Sequence, residues 1–126
     1  MILNGYIDHT LLKPDATETQ IDQVVQEAKE NHFASVMVNP YWVVYVHEKL
    51  TGTQVHTATV IGFPLGANTT YIKAKEAKKA MHDGAAELDI VINIGELKTG
   101  NTEAIRQELT SLARTIHEKD KIMKVI

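Results

Sequence analysis

The chain has no cysteine. That excludes a disulfide framework, a thiolate zinc site and a cysteine nucleophile, and it fits a reducing compartment such as the cytoplasm. A surplus of one charge is also missing. The net charge is −3 with six histidines counted as neutral, and the 23% of charged residues alternate in sign. No basic stripe exists that could neutralise a run of phosphates, so nucleic-acid binding is not expected. A small phosphorylated metabolite needs only one local site and stays compatible. Long apolar runs are absent as well. The longest fall far short of a membrane span, and Met1 to Tyr6 show neither a basic n-region nor a long apolar h-region. A soluble cytoplasmic protein without membrane association is the expectation. The histidines at 9, 32, 47, 56, 82 and 117 form no H-x-x-x-H or H-x-H arrangement, so no metal is expected. G-x-S-x-G, P-loop and G-x-G-x-x-G signatures are missing too.

What is present is an alternation of two periodicities. At 126 residues and 44% hydrophobic, the chain has the size and apolar content of one ordinary domain. Short β-branched runs read as strands at Tyr6 to Leu11, Ala34 to Val38, His56 to Ile61, Glu87 to Ile92 and Ile122 to Ile126. Helical patterns fill the gaps. Thr17 with Gln20 forms a capping-box signature ahead of Ile21, Val24, Val25 and Ala28. Asn39-Pro40 opens a second helix whose face includes Trp42, Val43, Val46 and Leu50. A third runs from Thr70 to His82, with Ile72, Lys75, Glu76 and Lys79 giving mixed faces. A fourth runs from Thr102 to His117, with Ile105, Leu109, Leu112 and Ile116 on one stripe. Gly62 to Asn68 and Gly95 to Asn101 read as loops. The pattern is (βα)4β, which implies a parallel sheet covered by helices in a single α/β domain.

Two architectures fit: a doubly wound open sheet of flavodoxin type, or part of a TIM (β/α)8 barrel. Polar residues inside apolar strands favour the barrel. Asp8, Thr10, Asp89 and Lys124 all lie in such runs, and a barrel interior can gather them into one site. The chain also ends on a strand, where an open-sheet domain would continue into a covering helix.

Asp89 sits between Leu88 and Ile90. A carboxylate there must be protonated, paired or hydrogen-bonded, which suits either a proton-transfer group or a structural contact to backbone. Lys124, between Met123 and Val125, reads as an ion-pair partner, an amine of lowered pKa or an exposed end residue. If the two share a face on adjacent strands, they pair and each explains the other. Alternation places Asp8 and Thr10 on one face and His9 on the other. The pair could serve a sugar hydroxyl, Lys124 or a buried network. Gly62-Phe63-Pro64-Leu65-Gly66 permits tight turning after the third strand, a weak signal alone.

With these residues located, the chain resembles the deoxyribose-phosphate aldolase family. The matching pieces are Ile7-Asp8-His9-Thr10-Leu11-Leu12-Lys13-Pro14, Val36-Met37-Val38-Asn39-Pro40, Thr59-Val60-Ile61-Gly62-Phe63-Pro64-Leu65-Gly66, Gly84 through Asn93, and Lys124-Val125-Ile126. They occur in order across the whole chain. The resemblance implies a TIM barrel that reversibly cleaves 2-deoxy-D-ribose 5-phosphate to D-glyceraldehyde 3-phosphate and acetaldehyde through a lysine Schiff base. It implies no metal and no organic cofactor. By position, Asp89 matches the family's proton-relay aspartate and Lys124 a lysine lining the site beside it. Asp8, Thr10 and Leu12 match first-strand residues near the substrate. Met37 takes a second-strand position often held by cysteine, and Phe63 matches an apolar residue of the pocket wall. The family's Schiff-base lysine lies on strand six, beyond Ile126. Residues 1–126 are thus expected to be the N-terminal part of the aldolase domain, inactive alone. With strands one and five unpaired, the chain is expected to self-associate, burying interior residues such as Ile7, Val36, Val60 and Ile90 or their face-mates.

Overall fold

Side-chain caps set the helix boundaries. In the computed structural model, which describes residues 2–126, the first helix α1 (Glu18–Asn31) starts at a complete capping box. The Gln20 N–H donates to Thr17 Oγ1, and the Thr17 N–H donates to Gln20 Oε1 at 2.9 Å. Two otherwise unpaired donors are satisfied at once. Its buried stripe is Ile21, Val25 and Ala28, as the spacing predicts. Pro40 begins a 3-10 turn that runs into α2 (Val43–Leu50), whose buried face is Val43, Val46 and Leu50. Then come α3 (Thr70–His82), capped by Thr69, and α5 (Thr102–His117), capped by Asn101.

Some expectations need correction. Gly95 to Asn101 is not simply a loop: it contains most of a short helix, α4 (Ile94–Thr99). Asn93 caps its start, and Gly100 ends it in the left-handed conformation with φ 81°. The bracketing glycines, which read as loop signals, mark its first turn and its stop. The first strand starts at Asp8, because Ile2–Tyr6 forms a 3-10 helix. The mixed faces of α3 also resolve differently. Its buried positions are Lys73, Ala77 and Ala80, whereas Ile72 is exposed.

The strands β1 (Asp8–Leu11), β2 (Ser35–Val38), β3 (His56–Ile61), β4 (Glu87–Ile90) and β5 (Ile122–Val125) form one parallel sheet in sequential order. A doubly wound sheet reverses its order at a switch point; this one does not. The sheet also curls strongly. Lys124 on one edge strand bonds Asp8 on the other. In a flat sheet those strands would lie about 19 Å apart, beyond the reach of the two side chains. The stagger agrees. Following the ladder from Lys124 through Asp89 and Val60 leads to the level of Leu12, four residues past Asp8. Four residues span about 13 Å along a strand. Four strand spacings tilted at about 36° shift by about 14 Å, so the contact has the tilt of a TIM barrel.

Helices cover the convex face in two clusters. One centres on Ile61, Leu88, Ile90, Leu112 and Ile116, the other on Ile21, Val25, Val36, Val38 and Val46. Leu12, Met37, Ala58 and Val60 pack on the concave face. Val60 is therefore interior as expected, but Val36 and Ile90 point to the helices. Ile7, which alternates with the inward Asp8, falls on the helix side with them, and the inner face is taken by Met37 and Asp89, as the expected site requires.

The convex layer encloses a charge pair. Lys73 is fully buried, and its Nζ donates to Glu108 Oε1 at 2.7 Å and to the Val91 carbonyl at 2.9 Å. Thr70 donates to the other Glu108 oxygen at 2.7 Å. The network ties α3 and α5 to the end of β4. Glu108→Ala should lower stability by about 3–5 kcal/mol, because it strands a buried ammonium. Lys73→Met combined with Glu108→Leu should recover most of that loss in urea unfolding. A double variant no more stable than Glu108→Ala would contradict the ion-pair assignment.

Candidate functional site

Strand alternation gathers the charged groups. The inner-facing set is Asp8 and Thr10 on β1 with Leu12 just beyond it, Ser35 and Met37 on β2, His56, Ala58 and Val60 on β3, Glu87 and Asp89 on β4, and Lys124 on β5. Lys124 and Asp89 are direct register partners. Lys124 Nζ contacts Asp8 Oδ2 and stands 3.3 Å from Asp89 Oδ1. That second approach is an ion pair by distance but lacks hydrogen-bond alignment, so Asp89 Oδ1 is a buried oxygen without a hydrogen-bond partner. Asp8 is held from its other side by the Ser35 hydroxyl, which donates to Oδ1 at 2.6 Å.

The three groups titrate differently. Burial opposes ionisation of Asp8, but the hydrogen bonds from Lys124 and Ser35 outweigh it and hold the carboxyl below its ordinary value. Burial dominates at Asp89 and raises it, with the charges of Asp8 and Glu87 adding to the rise and Lys124 opposing it. Burial would lower Lys124, yet the two carboxylates prevail and raise it. Lys124 is thus an ammonium in an ion pair, the first of the readings open from sequence, and not an amine of lowered pKa. The cluster thus holds one carboxyl lowered by its hydrogen bonds, one raised by burial, and an ammonium between them.

Other expected site residues fall around this cluster to different degrees. Met37 is buried on the concave face with Leu12 against it. Thr10 is exposed on the same face, but its hydroxyl turns back to donate to the Asp8 carbonyl at 2.7 Å and does not reach Lys124. Phe63 is 40% exposed in the loop after β3, joined to Pro64 by a cis peptide. His9 points to the helix side and meets Glu27 at 2.6 Å, as alternation implies. Ser35 was not foreseen. Its signal was available: it stands two residues before Met37 and so shares its face. His56 and Glu87, 2.9 Å apart, form a second inner-face pair nearer the strand N-termini. A hollow of about 690 Å³ lies at that end, beside Phe33, Val55, His56 and Glu87. It shares no residue with the Asp8–Lys124–Asp89 cluster.

A curled parallel sheet, helices on its convex side and charged groups on its concave side together define part of a (β/α) barrel of the TIM type. Residues 2–126 match the family model described as DeoC/LacD family aldolase, and the chain belongs to that family. It is 64% identical over its whole length to a deoxyribose-phosphate aldolase of Lactiplantibacillus plantarum, covering 59% of that protein. It is 53% identical to one of Streptococcus gordonii, covering 56%. Among solved structures, the tetrameric deoxyribose phosphate aldolase of Aeropyrum pernix superposes with a TM-score of 0.88 at 31% identity, over 98% of this chain and 51% of that one. The chain thus spans somewhat over half the length of the relatives it matches, in keeping with the portion of the family's domain expected from its motifs.

The raised and lowered pKa values fix a pH window. Asp8, depressed below 3.8, contributes stability that is present above that value and lost as pH falls through its folded pKa. Lys124, raised above 10.5, contributes stability present below that value and lost as pH rises through its folded pKa. Lys124→Met should therefore lower the urea midpoint at about pH 7, with the deficit shrinking towards about pH 2 as the carboxylates protonate. A deficit independent of pH would assign Lys124 to packing alone.

Proposed function

We propose that residues 1–126 form the N-terminal part of a single TIM-barrel deoxyribose-phosphate aldolase domain. The reaction is the reversible cleavage of 2-deoxy-D-ribose 5-phosphate to D-glyceraldehyde 3-phosphate and acetaldehyde through a lysine Schiff base. The observation that carries this reading is the Asp8–Lys124–Asp89 cluster on the concave face of a chain so similar to named aldolases. Asp89, raised by burial, accepts and returns the proton that moves as the carbon–carbon bond is made or broken. Lys124 stays an ammonium that orients both carboxylates. Asp8 and Thr10 offer polar atoms to sugar hydroxyls, while Leu12, Met37 and Phe63 wall the side that takes the small aldehyde. No metal or organic cofactor enters this scheme.

The nucleophile is a further lysine outside these residues. Lys124 is the one strand lysine among the described residues, and ion pairing disfavours its free amine. The 126 residues alone are therefore catalytically silent, and activity belongs to the intact polypeptide, a carbon–carbon lyase of deoxyribonucleotide catabolism in the cytoplasm. That no described helix is long and apolar enough to cross a membrane is compatible with this placement.

A second reading is favoured by the edge strand. Ile122, Val125 and Ile126 are each about half exposed, whereas β2 and β4 are buried throughout. Such an edge seeks a partner. The 126-residue chain would then act as a half-barrel that self-associates, and the intact protein would be a homo-oligomer. Light scattering after size exclusion should show dimers or larger species at micromolar concentration; a clean monomer would remove this reading.

Borohydride trapping tests the main one. With limiting acetaldehyde, the intact protein should gain one ethyl group on a lysine outside residues 1–126, and the isolated chain should gain none at Lys124. In the intact enzyme Asp89→Asn should lower turnover by about 10²–10⁴-fold. Specific, saturable labelling of Lys124, or unchanged turnover in Asp89→Asn, would sink the assignment.

A further inference from the structure

Two carboxylates flank one ammonium, and the geometry treats them unequally. Lys124 Nζ makes its hydrogen bond to Asp8 Oδ2, whereas its 3.3 Å approach to Asp89 Oδ1 is misaligned. Nothing in the lysine itself dictates this preference, since an ammonium has three equivalent donors. Nor does register, which places Asp89 beside Lys124 and Asp8 on the far edge of the sheet. Register alone would favour Asp89.

The difference lies in the other oxygen of Asp8. Ser35 is fully buried, and its Oγ donates to Asp8 Oδ1 at 2.6 Å, a distance typical of a hydroxyl bonded to an ionised carboxylate. Asp8 and Ser35 are also register partners on adjacent strands, so the bond is short-range and fixed by the sheet. With Oδ1 held, the carboxylate plane is set and Oδ2 is aimed across the concave face.

We propose that Ser35 is a positioning residue: by anchoring Asp8 Oδ1 it commits the Lys124 hydrogen bond to Asp8 and leaves Asp89 Oδ1 as the oxygen that takes up and releases the proton. Ser35 touches no reacting atom in this scheme. It decides which of two acids is the permanent anion and which is the proton carrier. The opposite shifts of the two carboxyls agree with that division. The other charged groups on this inner face, Glu87 and His56, pair with each other. Glu87 adds to the rise at Asp89 but gives Asp8 no hydrogen bond. The inference rests on the reading of Asp89 as the proton-transfer group, although the partition of charge is measurable without it.

The test is a carbon-detected NMR titration of the Asp8 and Asp89 carboxyls in the 126-residue chain. In the wild type Asp89 should titrate above Asp8. In Ser35→Ala the Asp8 midpoint should rise and that of Asp89 fall, narrowing the gap by about half a pH unit or more. Ser35→Thr, which keeps the hydroxyl, should restore it. If Ser35→Ala does not fold, Ser35→Cys keeps the volume with a weaker donor and should narrow the gap in the same direction. A purely structural serine would change the unfolding midpoint and leave the gap alone. Asp8 titrating above Asp89 in the wild type, or an unchanged gap in a folded variant, overturns the proposal. A narrowed gap with full turnover in the intact Asp89→Asn enzyme would instead sink the proton-relay role and keep the partition.

Discussion

The contact between Lys124 on the last strand and Asp8 on the first is the constraint to which the rest of this structure answers. It joins residues 116 positions apart and spans the concave face of the sheet. A flat sheet cannot make it, and a curled sheet of different tilt would make it with a different residue of β1. The same contact carries the electrostatics. An ammonium taken by Asp8 is only loosely available to Asp89, so a buried carboxyl beside a cation still rises above its ordinary value. The curl of the sheet and the unequal shifts of the two carboxyls thus meet in one ion pair.

The convex side supports this arrangement by rigidity. Lys73 reaches the Val91 carbonyl just past Asp89, and the Val91 N–H donates to the Ile61 carbonyl at 3.0 Å. Gly62 follows at φ 68°, where an added Cβ would lie 3.0 Å from the Lys73 side chain. The ends of β3 and β4 are therefore gripped by backbone and side-chain bonds together. An apolar pair of equal volume would fill the space, but it would not hold a particular carbonyl.

Much of the fold was legible in local chemistry. The capping box at Thr17 and Gln20, the span of α3 and the five β-branched runs are short-range signals, and each appears at or near its expected place. Boundaries were less so. Strand ends depend on which backbone groups find a neighbour, and that is a property of the sheet. The helix at Ile94–Thr99 is hidden in the sequence because glycines serve as both loop and helix punctuation. The burial of Lys73 is hidden too, because a lysine on a helix is ordinarily solvated. The alanines at 77 and 80 on its face were the hint that it is not.

By itself the sequence determined the order of the five strands and of the four helices between them, the alternation that puts Asp8 with Thr10 and opposes His9, and the family motifs along the chain. These depend on neighbours a few residues apart. Only the tertiary structure decided that Lys124 binds Asp8 more closely than its own ladder partner, that Ser35 stands behind that choice, and that Val36 and Ile90 turn to the helices and not to the interior. Period-two alternation leaves its phase open. Curl and tilt settle it, because they arise from how all five strands pack against the helices at once.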